Sequence, residues 1–211
     1  MKSQDDLTKV VAYFTEKLET HGATHRGVDY NSEHAQDIRF EQLVRVIAPA
    51  QPFSLIDYGC GYGALFDFLY SRNWRLDYYG FDLSEEMIAR GCQIHAHHPN
   101  CFFTADETEL PLADYLIAGS IFNIKLESPA SQWQEHVLST LCKMDELCTK
   151  GFSFNMLTKY SDTERMSQRP DLFFADPCFF FDYCKRRFSK NVALLHDYAL
   201  YDFTVLVRKD L

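Results

Sequence analysis

The segment from Phe53 to Gly63 constrains the fold more than any other part of this 211-residue chain. A short apolar run, Phe53 to Tyr58, passes directly into Asp57-Tyr58-Gly59-Cys60-Gly61-Tyr62-Gly63, and a helical pattern over Ala64 to Ser71 follows without a linker. Three glycines at alternate positions permit left-handed backbone, so the chain turns sharply from strand to helix, and they let a ligand approach the main chain where a Cβ would block it. Strand, glycine turn and helix in that order form the opening unit of a doubly wound α/β domain. The second strand, Tyr78 to Phe81, ends in Asp82, 19 residues after Gly63. At that distance such folds offer a carboxylate to both hydroxyls of a ribose. The third strand, Cys101 to Thr104, is followed by Asp106, 24 residues beyond Asp82, and by Glu107. Three polar strand ends therefore converge on one carboxyl edge and on one ligand.

The alternation continues to the C-terminus. Ser84 to Gly91 reads as a helix with a serine cap and glutamates in its first turn, and Tyr115 to Ala118 as the fourth strand. A long helix near Ser131 to Cys148 sets Trp133, Val137, Leu141, Met144 and Cys148 on one side, with Ser131 and Gln134 at capping-box spacing. Gly151 to Leu157 is the fifth strand, Pro177 to Phe188 a helix with Asp176 as its cap, Val192 to Leu195 the sixth strand and Tyr201 to Arg208 the seventh. Strands alternating with helices imply parallel units joined by right-handed crossovers. Only the five residues His196 to Leu200 separate the last two strands, too few for a helical crossover, so those two run antiparallel. The expected fold is α/β: a doubly wound, seven-stranded, mostly parallel sheet whose last strand is reversed.

Helical pattern precedes the first strand. Residues 3 to 20 open with Ser3 as a cap and Asp5 and Asp6 in the first turn, then place Leu7, Val10, Val11, Phe14 and Leu18 on one stripe. After His21-Gly22 and the irregular stretch Ala23 to Tyr30, Asn31 or Ser32 caps a second helix with Phe40, Leu43, Val44 and Ile47 on one face, ended by Pro49 and Pro52. Residues 1–50 are expected to form a helical lid on a ligand-binding unit comprising residues 51–211.

Composition removes several classes. With 46% apolar and 15% aromatic residues the chain can fill a core, which excludes disordered and collagen-like readings. Thirty carboxylates against 21 Lys plus Arg leave a charge of −9, which repels polyphosphate, so nucleic acid is not an expected partner. No apolar run reaches the roughly 18 residues that cross a bilayer, and the N-terminus lacks a secretory stretch; a cytoplasmic protein without a membrane partner is expected. Seven cysteines without a C-x-x-C pair suggest reduced thiols. His95-Ala-His97-His98 lacks the acidic or cysteine companions of a metal site and reads as a solvated turn, so no metal is expected.

The glycine spacing here is G-x-G-x-G preceded by an aspartate, whereas dinucleotide enzymes use G-x-G-x-x-G to seat a pyrophosphate. An added carboxylate disfavours pyrophosphate and suits a ligand carrying an ammonium group. With Asp57 to Gly63, Gly80-Phe-Asp82-Leu-Ser, Asp106-Glu107, the segment Asp114 to Asn123 and the terminal hairpin, the sequence resembles the class I S-adenosylmethionine-dependent methyltransferases over roughly residues 50 to 211. That resemblance implies a Rossmann-like methyltransferase fold with S-adenosylmethionine as cofactor and S-adenosylhomocysteine as product. It places Asp57, Gly59, Cys60 and Gly61 at the methionine end, Asp82 at the ribose, Asp106 at the adenine amino group, and Leu83 and Glu107 beside the ring. Ser120 and Ile121 fall beneath the sulfonium. The family's Asp/Asn-Pro-Pro-aromatic marker of amide and nucleobase amino methylation is replaced by Gly119-Ser-Ile-Phe-Asn123, which points to a small-molecule acceptor.

Methyl transfer from a sulfonium gains much of its rate from alignment and dryness, and a base is needed only for acceptors such as hydroxyls. Tyr30 and His34 are the expected catalytic residues, with Asp29 and His196 as further base candidates. Similar methyltransferases cover the cofactor with an N-terminal helical piece, so Tyr13 and Arg39 are expected at the cofactor. The long segment Leu157 to Phe181, with aromatics at 173, 174, 179, 180 and 181, is a candidate acceptor wall. A nicotinamide-dependent oxidoreductase and a non-catalytic cofactor-binding scaffold are the alternatives. The expected assembly is a monomer or homodimer.

Overall fold

The structure is a computed structural model that describes residues 2–48 and 52–209, with side chains from Leu7 onward. The expected Ser3 cap, the Asp5 and Asp6 side chains, Pro49 and the boundary at residues 50 and 51 lie outside the described residues. The helices are α1 (Lys2–His21), α2 (Glu33–Leu43), α3 (Ala64–Tyr70), α4 (Glu85–Ile94), α5 (Ala130–Glu146), α6 (Thr163–Gln168) and α7 (Pro177–Arg187). The strands are β1 (Phe53–Tyr58), β2 (Leu76–Phe81), β3 (Cys101–Thr104), β4 (Ala113–Ala118), β5 (Cys148–Leu157), β6 (Asn191–Leu195) and β7 (Asp202–Arg208).

The seven strands form one sheet in the order β3-β2-β1-β4-β5-β7-β6. Strands β1 to β5 pair in parallel, and β7 runs antiparallel to both β5 and β6. The reversed strand therefore lies inside the sheet with β6 outside it. From β1 the chain builds outward through β2 and β3, then returns to β1's other side for β4 and β5. That reversal opens a crevice at the carboxyl ends of the central strands.

Apolar residues on both sheet faces form two cores. Trp133, Val137, Leu141 and Met144 of α5 and Phe180 and Cys184 of α7 pack on one face with Phe152, Phe154 and Val205. Phe40 and Leu43 of α2 and Leu65, Phe66 and Leu69 of α3 cover the other, against Leu55, Tyr78 and Ile117. The capping signals act as expected at three helices: Ser32 accepts from Ala35 N–H, Ser84 from Met87 N–H and Asp176 from Cys178 N–H.

Three local expectations are corrected. Ser131 and Gln134 do not form a capping box, because α5 starts earlier, at Ala130, after Pro129, whose fixed φ leads the chain into the first turn. Cys148 belongs to β5 instead of the helix. His95 is buried, not solvated: its ring stacks on Phe103 and hydrogen-bonds the Tyr62 carbonyl at 3.2 Å. Burial holds its imidazole below the ordinary histidine range, against the pull of Asp67. No metal-binding group occurs among the described residues.

Gly59, Gly61 and Gly63 have φ of 82°, 55° and 93°, so the loop needs glycine for its backbone alone. A Cβ on Gly63 would also lie 2.7 Å from the Phe103 ring and 2.8 Å from His95 Nε2. Gly63→Ala is therefore expected to destabilise the chain by about 1–2 kcal/mol from the left-handed backbone alone, with the contact added. Chemical denaturation measures this, and an unchanged midpoint would contradict the packing described.

Candidate functional site

A cavity of about 490 Å³ lies at the carboxyl edge of β1 to β4, roofed by α1 and bordered by α2 and α5. Its size falls in the range of small-molecule sites, roughly 300–1,000 Å³. The amphipathic stripe of α1 supplies Leu7, Val10, Val11 and Phe14 to the roof. The helix is held in place by Thr15 Oγ1 at 3.1 Å from Ser84 Oγ, by Lys9 with Glu127, and by Tyr13 and Lys17 with Asp29.

Asp57, Gly59, Cys60 and Gly61 form one end of the cavity, and Asp82 and Leu83 adjoin them. The space above the glycines is shared with the protein: Ile121 packs over Gly59 and Val28 over Gly61. Asp57 is buried and accepts the Tyr78 hydroxyl at 2.6 Å. Burial pushes its carboxyl up to about 7; the Tyr78 bond works against that rise, and the nearby Asp82 charge adds to it. Asp82 accepts Gly61 N–H and Ser84 N–H, both at 2.9 Å, and ties the glycine loop to the end of β2. Burial raises its carboxyl too, although those two N–H groups oppose the shift. Among the described residues neither carboxylate has an ion-pair partner. Two desolvated carboxylates facing one cavity without a cation form a site for a positively charged ligand.

Asp106, Glu107 and Ala105 border the cavity after β3. Asp106 is exposed and spends Oδ1 on Thr108 N–H and hydroxyl, which folds the strand end into a single 3₁₀ turn. Glu107 accepts from the Tyr58 hydroxyl and from Lys143 Nζ, the latter at 2.6 Å. Burial would raise its carboxyl, yet these two donors outweigh it and hold it below the ordinary range. Glu107 is thus a braced wall.

Ser120 and Ile121 line the cavity after β4, and Ser120 adopts φ 62°. Tyr30 forms part of the same wall. The other lid candidates stand elsewhere. His34 is exposed on α2 and does not reach the cavity, because the inward side of that helix is carried by Gln36 and Phe40. Tyr13 donates to Asp29 Oδ2 at 2.8 Å, outside the lining, and Asp29 is itself paired with Lys17. Arg39 lies behind the wall, bonded to the buried Asp202 at 2.5 Å. His196 is exposed and packs on Tyr160 and Phe203. The aromatic segment proposed as an acceptor wall serves the fold: Phe173 and Phe180 join the core, and none of Phe173, Phe174, Phe179, Phe180 or Phe181 lines the cavity.

Sequence reasoning missed Gln36, Trp133 and His136. Gln36 is buried on the inward side of α2 and lines the cavity. Trp133 donates from Nε1 to the Phe122 carbonyl at 2.8 Å, and His136 packs on its ring at 5.0 Å. Burial, then Lys143, holds the His136 imidazole low. A polar residue every three to four positions on α5, at His136, Ser139 or Thr140, and Lys143, was the available signal.

A family model described as a methyltransferase domain matches residues 7–148. A protein of Mycobacterium tuberculosis H37Rv, Rv1506c, which carries a provisional methyltransferase name, is 48% identical over 166 residues, 79% of this chain and 99% of that protein. The fold also matches the magnesium protoporphyrin IX methyltransferase ChlM of Synechocystis PCC 6803, crystallised with S-adenosylmethionine, at a TM-score of 0.66 and 16% identity, covering 97% of each chain. The N-methyltransferase NodS of Bradyrhizobium japonicum WM9, crystallised with S-adenosylhomocysteine, matches at a TM-score of 0.64 and 13% identity, covering 94% of this chain and 97% of NodS.

Proposed function

The chain belongs to the class I S-adenosylmethionine-dependent methyltransferases, and from that premise we propose that it methylates a small molecule inside the cavity at the carboxyl edge of the sheet. When bound, S-adenosylmethionine supplies a methyl group already activated on a sulfonium. The observation that carries the reading is the pair of desolvated, cation-free carboxylates, Asp57 and Asp82, beside a glycine loop in a roofed cavity of small-molecule size.

In this reading Asp57 faces the ammonium of the methionine end, with Gly59, Cys60 and Gly61 as its backbone cradle. Asp82 takes the ribose hydroxyls, while Asp106 and Leu83 border the adenine and Glu107 braces that wall. Ser120 and Ile121 lie beneath the reacting centre. Residues 1–50 act as the lid and residues 51–211 as the binding unit. The apolar roof of α1 excludes water, and holding the acceptor in line in a dry site is the main catalytic device. Tyr30 is the side chain best placed to hydrogen-bond the acceptor. The net charge of −9 supports an acceptor other than nucleic acid, and no helix among the described residues is long and apolar enough to cross a membrane. A cytoplasmic monomer or homodimer completes the reading.

Calorimetric titration tests it: S-adenosylmethionine saturates the site and NAD does not. Tighter binding of NAD would reject the assignment. The Asp57 carboxyl adds a pH signature. Raised to about 7, it is neutral below that pH and attracts a cation only when ionised, so affinity for S-adenosylmethionine should climb between pH 6 and pH 8. The ligand's own α-amino group loses its proton near pH 8, which bounds the window from above. For folding the sign is opposite: the contribution of a raised carboxyl is complete below pH 4 and lost as the pH rises through 7. A dissociation constant that is flat from pH 6 to 8 in the wild type, or as steep in Asp57→Asn, counts against this role.

A further inference from the structure

The cavity carries a lopsided set of charges. Asp57, Asp82, Asp106 and Glu107 line it, against one ammonium, Lys143. That ammonium is spent on Glu107 at 2.6 Å. His136, the one imidazole of the lining, is held toward its uncharged form by burial first and then by Lys143. The cations just outside the lining are committed as well. Arg39 lies behind the wall on Asp202, 2.5 Å away, whose other carboxylate oxygen accepts Asn155 Nδ2 at 3.1 Å. On the roof helix, Lys9 pairs with Glu127 and Lys17 with Asp29, each at 2.8 Å. Among the described residues, no cation is therefore left to meet an anion inside the cavity.

S-adenosylmethionine suits such a field because its sulfonium and ammonium outnumber its carboxylate. A second molecule bearing a carboxylate or phosphate would lose its water there and gain no partner, the costliest form of burial. The space open to that second molecule is what the cofactor leaves unused. It is bounded by Leu7, Val10, Val11 and Phe14 of α1, by the Phe40 ring, and by two neutral polar side chains, Tyr30 and Gln36. Tyr30 and Phe40 flank Gly119: a Cβ at that glycine would lie 3.8 Å from the Tyr30 hydroxyl and 3.9 Å from Phe40 Cε1. Gly119 directly precedes Ser120, assigned above to the reacting centre. The wall beside that centre is thus apolar except for uncharged groups that can donate and accept hydrogen bonds.

We propose that the methyl acceptor is an apolar molecule with an uncharged hydrogen-bonding head, seated between the α1 stripe and the wall formed by Tyr30 and Phe40, and that carboxylates and phosphate esters of the same shape are refused. This rests on the methyl-transfer reading given above and adds to it the class of substrate.

Two planar molecules of equal shape test it, naphthalene-2-carboxamide and naphthalene-2-carboxylate. Each is titrated into the full chain saturated with S-adenosylhomocysteine and followed by saturation-transfer NMR and calorimetry. The carboxamide is expected to saturate the chain, and the carboxylate to bind at least about tenfold more weakly. Val11→Lys changes a half-buried position of the roof. It sets an ammonium over the pocket and should narrow the ratio to about threefold or less; Val10→Lys serves the same purpose should the first variant not fold. A wild-type chain that binds the carboxylate within about threefold of the carboxamide would overturn the refusal of anions. Failure of both molecules to bind would overturn the apolar seat, and a ratio unmoved by the lysine variants would overturn its location. If the chain does not bind S-adenosylhomocysteine, the functional reading falls, and the same pair titrated without it still decides whether the cavity refuses anions.

Discussion

Asp202→Ala is expected to cost the chain about 3–5 kcal/mol of folding free energy, because it leaves one member of a buried ion pair without the other. The Arg39 side chain is only 12% exposed, and its Nε already lacks a hydrogen-bond partner. Without Asp202 the guanidinium keeps only the Ala35 carbonyl, 2.8 Å from Nη1, and its place beside the Tyr30 ring. For a domain of this size such a loss lowers the melting temperature by about 10 °C. Removing both charges in Arg39→Met/Asp202→Leu should recover most of it, because no orphaned charge is then buried. Thermal denaturation of the two variants decides the matter, and Asp202→Ala melting within about 2 °C of wild type would contradict the cost assigned to the pair.

The second large effect is on binding. Asp82→Ala should weaken S-adenosylmethionine by about 10- to 100-fold, through lost charge-assisted hydrogen bonds to the ribose. The fold should survive, since deleting one of two facing carboxylates relieves repulsion while releasing the Gly61 and Ser84 N–H groups. Asp82→Asn keeps an acceptor oxygen toward the loop and should lose less. Calorimetry on both variants, with melting curves taken without ligand, separates the two contributions. An affinity unchanged in Asp82→Ala would remove the ribose role.

Much of the fold was legible because local signals agreed. The strand, glycine turn and helix at residues 53–71, the acids closing β2 and β3, and the short link between Leu195 and Asp202 each have one good structural solution. The position of β7 between β5 and β6 was not legible, since spacing gives the relative direction of two strands but not which neighbours they take. The same limit governed the site. Residues on β1 to β4 reach the cavity because strand ends in a doubly wound sheet converge, whereas the lid's contribution depends on how α2 is rotated. His34 and Gln36 are two positions apart, and only Gln36 faces inward. Trp133 looked like a core position of a long helix, as it partly is, and His136 fell outside the apolar stripe from which that helix was read. Asn155 and Asp202 lie 47 residues apart, and nothing in linear order marks them as neighbours.

The reversal of β7 also decides what its first residue can do. In a parallel strand the opening position falls at the edge of the sheet remote from the ligand. Running the other way, β7 begins at the rim where β4 and β5 finish, and so delivers an anion to the floor beneath the lid. Shortening the protein from its C-terminus to before this strand would remove the anchor of Arg39 along with an inner strand, and the opening helices would lose their fixed seat.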